Sequence, residues 1–244
     1  RRRARPEPRR PRVMVTSHPH RPLNGGRNGG NSRRQQMVQR LRAQGIRDER
    51  VLSAMGEVPR EQFLSPALRG QAYDDARLPI GQGQTISAPW TVARLCELLQ
   101  VELGAKVLEI GAGSGYQAAV LGQMGLRVYS VERHAELARG SARLVQELGY
   151  LSVTIKQFDG TYGWAAMAPY DGIVVTAVAP EVPPALVRQL APGARLVLPL
   201  GARDGDQRLV VVTVDAEGRA TQEDQGPASF VPLIGRYGYE EPQP

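Results

Sequence analysis

The run KVLEIGAGSGY, residues 106 to 116, passes from a β-forming segment directly into three glycines at alternate positions. Gly111, Gly113 and Gly115, with Ala112 and Ser114 between them, permit a tight turn and let backbone approach a ligand closely. About twenty residues on, the next β-forming run, RVYSVE, ends in Glu132, a carboxylate able to accept hydrogen bonds from both hydroxyls of a ribose. A third such run leads into FDG, where Asp159 can accept an adenine amino hydrogen and Gly160 lets a ring lie against the backbone. Alone, Asp159 reads as an ordinary turn residue; a place at the same sheet edge as the other two loops makes it a ligand candidate. The glycine spacing also discriminates between ligands. A dinucleotide fingerprint is G-x-G-x-x-G, but Tyr116 holds the sixth position here, so the loop suits S-adenosylmethionine better than a nicotinamide dinucleotide.

Just upstream lies PIGQGQTISAPW, residues 79 to 90, which carries no charge. Its Ser87 offers a hydroxyl beside the cofactor loop, yet no Ser-His-Asp grouping accompanies it, so a nucleophilic serine is not expected. His134 is the one histidine outside the first 34 residues, and it reads as a solvated side chain just after Glu132. Cys96, the single cysteine, sits at an apolar helical position in TVARLCELLQ and reads as core. A lone cysteine rules out an internal disulfide framework and fits a reducing cytoplasm. No metal site is expected.

The elements that must position these residues follow from periodicity. RRQQMVQRLRAQG has apolar residues at helical spacing and stops at Gly45, and a second short helix is expected to end near Pro59. Pro89 opens a third helix, since proline is well tolerated in a first turn. From residue 101 onward, strands KVLEI, RVYSVE, VTIKQ, GIVVT and RLVLPL alternate with helical segments GYQAAVLGQM, HAELARGSARLVQELG and PPALVRQLA. Alternation implies right-handed crossovers and an α/β fold with a doubly wound, mostly parallel seven-stranded sheet. Near the end QRLVVVTV is strongly β-forming and SFVPLIG reads as a last strand; with no helix between them, this edge is expected to be antiparallel.

Charge divides the chain. Of 31 Lys and Arg and 24 Asp and Glu, eleven Arg and one Glu lie in residues 1–34, so the rest is mildly acidic. Residues 1–34, rich in Arg, Pro and Gly, read as a disordered tail, because such a segment cannot bury enough surface to offset its ordering entropy. Residues 35–244 form the single domain, with 35–100 helical and substrate-binding and 101–244 the cofactor-binding core. The tail can touch polyanions nonspecifically through its guanidinium groups. Its Asn24-Gly25 and Asn28-Gly29 pairs are prone to deamidation, which makes the tail itself a candidate substrate of the activity described next. No apolar run reaches the roughly 18 residues a membrane helix needs, and a monomer is expected.

VPREQF, LPIGQGQTIS, VLEIGAGSGYQ, PYDGIVVTA and FVPL occur in this order, and together they resemble the protein-L-isoaspartate O-methyltransferases, from about Arg33 to residue 233. The glycine loop is shared by all class I methyltransferases; GQGQTIS and FVPL are the specific signals. The resemblance implies transfer of methyl from S-adenosylmethionine to the free α-carboxylate of L-isoaspartyl residues in damaged peptides and proteins, which starts their return to aspartyl. By position it implies cofactor contacts at Ile86, Ser87, Ala88, Gly111, Ala112, Gly113, Ser114, Gly115, Glu132, Asp159 and Gly160. Substrate contacts fall at Thr85, Ser87 and Val231, with Ser87 the active-site residue. FDGTYGW departs from the family's more usual Gly-Asp-Gly, and the segment after Leu233 has no counterpart we can match.

The chemistry suits these residues. The nucleophilic carboxylate is already ionised at neutral pH (reference pKa near ~3.9), so no general base is required. Orientation alone can supply roughly 7–11 kcal/mol, and a neutral hydroxyl aligns the carboxylate without holding it too firmly in the ground state. A substrate found in many unrelated proteins must be read through its backbone, for which GQTIS and FVPL are candidates. The alternative is another class I methyltransferase acting on nucleic acid or a small carboxylate. Against nucleic acid, TAVAP lacks the acidic residue or Asn before Pro-Pro-aromatic of amino-methylating DNA enzymes, and Cys96 follows Leu, not Pro.

Overall fold

The structure is a computed structural model that describes residues 28–215 and 217–241. The Arg-rich segment up to residue 27, including Asn24-Gly25, lies outside the described residues, as do residues 216 and 242–244. Helix α1 (Asn28–Ala43) starts upstream of the boundary expected at residue 35 and takes in Asn28-Gly29. Long-range bonds hold this end. Arg34 donates to the Tyr73 hydroxyl (2.9 Å) and the Glu57 carbonyl (2.9 Å), and Arg33 to the Gly70 carbonyl (3.1 Å). Helix α2 (Glu49–Glu57) is capped by Asp48, whose carboxylate accepts from the amides of Arg50 and Val51. It stops at Val58, the residue before Pro59, as the steric restriction ahead of a proline requires.

A seven-stranded sheet forms the centre. Its strands are β3 (Lys106–Ile110), β4 (Arg127–Glu132), β5 (Val153–Gln157), β6 (Tyr170–Val175), β7 (Leu190–Gly201), β8 (Gln207–Val214) and β9 (Ala220–Ala228). The order is β5-β4-β3-β6-β7-β8-β9, parallel as far as β7 and antiparallel beyond it. Alternate residues of β3 enter two apolar clusters: Val107 joins one with helices α2, α3 (Pro89–Leu99) and α4 (Tyr116–Gln123), while Leu108 and Ile110 join the other with Tyr170 and Leu186. Covering on both faces explains why the parallel strands read as continuous apolar runs. Helix α5 (Ala135–Glu147) returns the chain from β4 to β5.

Two expectations fail, each for a tertiary reason. PPALVRQLA is not a full helix; α6 (Pro184–Val187) is one turn, and β7 begins at Leu190. Gln189 ends the helix, because its amide accepts from Trp164 N (2.8 Å) and donates to the Tyr162 carbonyl (2.8 Å), while its own carbonyl receives Tyr170 N (2.8 Å). SFVPLIG is not the last strand either. That place belongs to β9, whose polar, exposed residues carry no apolar signal and suit a sheet edge.

Candidate active site

The uncharged run before the glycine loop is a β-hairpin. Strands β1 (Leu78–Gly81) and β2 (Gln84–Ile86) are joined by Gln82 and Gly83, both at positive φ (52° and 66°), as a two-residue hairpin of the I′ kind requires. Among the described residues these two strands form a sheet of their own, with β2 paired along one edge only. Past β2, Ser87 is held through its carbonyl. Arg60, fully buried, donates from Nη2 to Ser87 O (2.8 Å) and from Nε to Ala72 O (2.7 Å), with its guanidinium 4.7 Å from the centre of the Tyr116 ring. Burial lowers the pKa of this guanidinium. The fastening leaves the Ser87 hydroxyl uncommitted among the described residues.

Beyond β3 the chain turns at Gly111 (φ +96°), where a Cβ would stand 2.3 Å from Thr176 Oγ1. Thr176, at the end of β6, bonds the carbonyls of Ile110 (3.0 Å) and Gly111 (2.8 Å) and so fixes the point where chain direction across the sheet reverses. Ligands of open α/β sheets bind at such a point. Glu132 closes the loop from the side: its Oε2 accepts from Gly113 N and its Oε1 from His134 N, both at 2.9 Å. Behind the loop, Glu109 is fully buried, with Oε2 accepting from the Ser130 hydroxyl and Oε1 without a partner among the described residues. Burial, with a lesser contribution from the charge of Glu132, pushes its carboxyl up to about 8. The amide of Gln117 lies close enough to favour the ionised form but completes no hydrogen bond.

The last wall is FVPL. Val231 O accepts from Val178 N and Val178 O from Leu233 N, both at 2.8 Å, so Pro232 sits between the two bonds where no N–H is needed. Gln207 pins the preceding residue, accepting from Phe230 N (2.7 Å) and donating to Phe230 O (3.2 Å). Hairpin, glycine loop, Glu132 and FVPL together enclose a cavity of about 490 Å³.

Residues of the cavity fit an adenosyl sulfonium ligand. A Cβ at Gly160 would lie 2.5 Å from Ile110 Cγ2, so glycine lets this turn close on Ile110 beside the cavity. Buried polar atoms wait for partners there: His134 Nε2 and both amide atoms of Gln117 have none among the described residues.

A model of the protein-L-isoaspartate(D-aspartate) O-methyltransferase family matches residues 32–238. A protein-L-isoaspartate O-methyltransferase 2 of Geotalea uraniireducens is 48% identical over 208 residues, covering 85% of this chain and 95% of the relative. A protein-L-isoaspartate O-methyltransferase of Salinibacter ruber is 50% identical over 211 residues, covering 82% and 91%. The chain belongs to this family. Among solved structures, a protein-L-isoaspartate O-methyltransferase superposes with a TM-score of 0.76 at 30% identity, covering 84% of this chain and 67% of the other. A Plasmodium falciparum protein assigned to the same activity, solved with S-adenosyl-L-homocysteine, gives 0.71 at 25% identity, with 82% and 98% covered. The chain is thus an S-adenosylmethionine-dependent enzyme of the class I methyltransferase fold. The family match runs past the FVPL segment at which the sequence resemblance stopped.

Of the residues expected in the methyltransferase site, Thr85, Ile86, Ser87, Gly111, Ala112, Gly113, Ser114, Glu132, Gly160 and Val231 line one cavity. Ala88 and Gly115 do not; Ala88 faces a neighbouring cavity, and Gly115 packs on Ser141 and Val145 of α5. Asp159 also stands apart. Its Oδ1 accepts from Thr161 N (2.9 Å) and Oγ1 (2.7 Å), and its Oδ2 from Arg236 N (3.0 Å), so it anchors the C-terminal segment. His134, expected in solvent, is instead a wall residue with Nε2 buried. Cys96 is buried, and burial raises its thiol pKa, which keeps it inert. Sequence reasoning missed Gln117, Thr176, Arg203 and Glu241 as lining residues. Gln117 alone had a signal, a polar residue directly ahead of the apolar run 118–121 in the helix after the glycine loop.

Proposed function

We propose that the cavity holds S-adenosylmethionine along Gly111, Ala112, Gly113 and Ser114, with Glu132 and Gly160, and that Ser87 receives the α-carboxylate of an L-isoaspartyl residue. The observation that carries this reading is the position of Ser87, on the wall shared by the cofactor loop, the open edge of β2 and Val231. Glu132 accepts ribose hydroxyls with the lone pairs left by Gly113 N and His134 N. Bound there, the cofactor supplies an electrophilic methyl group on a sulfonium centre. Ser87 donates its hydroxyl to the carboxylate and aligns it; the uncharged hairpin itself brings no cation to pair with it in the ground state. The substrate backbone runs along Thr85 and Val231, an arrangement that leaves flanking side chains free to vary.

Among the described residues no helix is long and apolar enough to cross a membrane. The single buried cysteine supports residence in the reducing cytoplasm. The test pairs an isoaspartyl peptide with its aspartyl twin in the presence of labelled S-adenosylmethionine. Base-labile methyl ester on the isoaspartyl member only is expected, and transfer to neither peptide overturns the reading. Ser87→Ala should lower kcat/KM for the peptide by about 10- to 100-fold, the worth of one hydrogen bond to a charged group.

A further inference from the structure

A second cavity, of about 420 Å³, lies directly beyond the Ser87 wall. Ser87 and Val231 line the first cavity, and their chain neighbours Ala88 and Phe230 line the second. Two separate segments therefore cross from one cavity to the other, each within one Cα step of about 3.8 Å. The second cavity is walled by Trp90, Leu209, Pro227, Ala228 and Phe230. Two braces span it. Arg77 Nη1 donates to the carbonyl and the hydroxyl of Ser229 (3.2 Å each), and Arg94 Nη2 to Gln225 Oε1 (3.1 Å). Asp75 is engaged too, its Oδ1 accepting the Trp90 amide (3.1 Å), while Thr91 adds a hydroxyl to the lining. What the cavity offers a ligand is apolar surface in a preformed shape.

We infer that this cavity is a subsite for one large apolar side chain, aromatic for preference, of the isoaspartyl peptide, within two positions of the damaged residue. The inference rests on the activity proposed above. With the glycine-loop side of Ser87 given to the cofactor, a peptide whose carboxylate is at Ser87 has to leave on the other side. An extended chain advances about 3.3 Å per residue, so a neighbouring or next-but-one side chain reaches the space between Trp90 and Phe230. The subsite grades substrates and excludes none, because a small side chain leaves it to water.

The experiment is a set of isoaspartyl peptides with alanine at every flanking position, each replaced in turn by phenylalanine. One position should show a KM about tenfold lower with phenylalanine, the return for partial burial of an aromatic ring. The same KM ratio is then measured within Ala228→Leu, which fills the cavity, and within Trp90→Ala, which removes a wall. Both should bring it below about twofold. A ratio computed inside one variant is insensitive to the fraction of that variant that folds. Methylation of all peptides with no favoured position in the wild-type enzyme overturns the subsite and leaves the activity standing. A preference that both variants retain overturns it as well. Failure to methylate any isoaspartyl peptide overturns the activity, and the subsite with it.

Discussion

Replacing Glu109 by glutamine changes one buried proton and nothing of the side chain's shape. In the fold this carboxyl titrates at about 8, against 4.5 for the exposed group, chiefly because burial penalises its charge. Below 4.5 both states hold the proton and nothing is lost. Between 4.5 and about 8 only the unfolded chain releases it, so folding stability falls as pH rises, by about 1.4 kcal/mol per pH unit. At pH 7 the accumulated loss is about 3 kcal/mol. Glu109→Gln does not titrate and escapes this loss, while its carbonyl still accepts from Ser130 and its new amide faces Gln117. The two proteins should therefore unfold at similar urea concentrations near pH 4.5 and diverge steadily above it. The variant's midpoint should stand roughly 1 M higher at pH 7, for an m-value of a few kcal/mol per molar. Parallel midpoints from pH 4.5 to 8, or a variant that is the weaker protein at pH 7, would refute a neutral Glu109.

Glu132→Gln sets an amide N–H against either Gly113 N or His134 N and removes one acceptor from the ribose. Calorimetric binding of S-adenosyl-L-homocysteine should weaken by about tenfold or more, and unchanged affinity would remove Glu132 from the cofactor site. Arg60→Met leaves the carbonyls of Ala72 and Ser87 without their donor, at about 1–3 kcal/mol each. The melting temperature should drop by roughly 5–10 °C, with kcat reduced as Ser87 loses its fastening. Gly160→Ala drives a methyl to 2.5 Å from Ile110 Cγ2, so the KM for S-adenosylmethionine should rise while the KM for peptide holds; equal effects on both would place Gly160 outside the cofactor site.

The sequence was most legible where one local cause sufficed. Strands β3 and β4 were bounded correctly because each is a short apolar run closed by glycine or a charged residue, and a parallel sheet covered on both faces asks for nothing more; β5, at the sheet edge and mostly exposed, kept its bounds without such a stop. Glycines 111, 113 and 115 announced their turn because only glycine takes those φ values easily. The GQGQ turn gave the weaker sign. Its Gln82 adopts a left-handed conformation that sequence seldom advertises. By itself, then, the sequence determined the fold class and the family. Tertiary structure decided which of the chemical candidates share a space. It drew Asp159 away to the C-terminal segment, turned His134 inward, and replaced the expected FVPL strand with a strap on Val178. Hydrogen bonds between residues tens of positions apart hold Asp159 and FVPL in those places, Arg236 to Asp159 and Gln207 to Phe230 among them, and Arg60 fastens Ser87 in the same way. Local pattern carries no record of bonds between segments that only folding brings together.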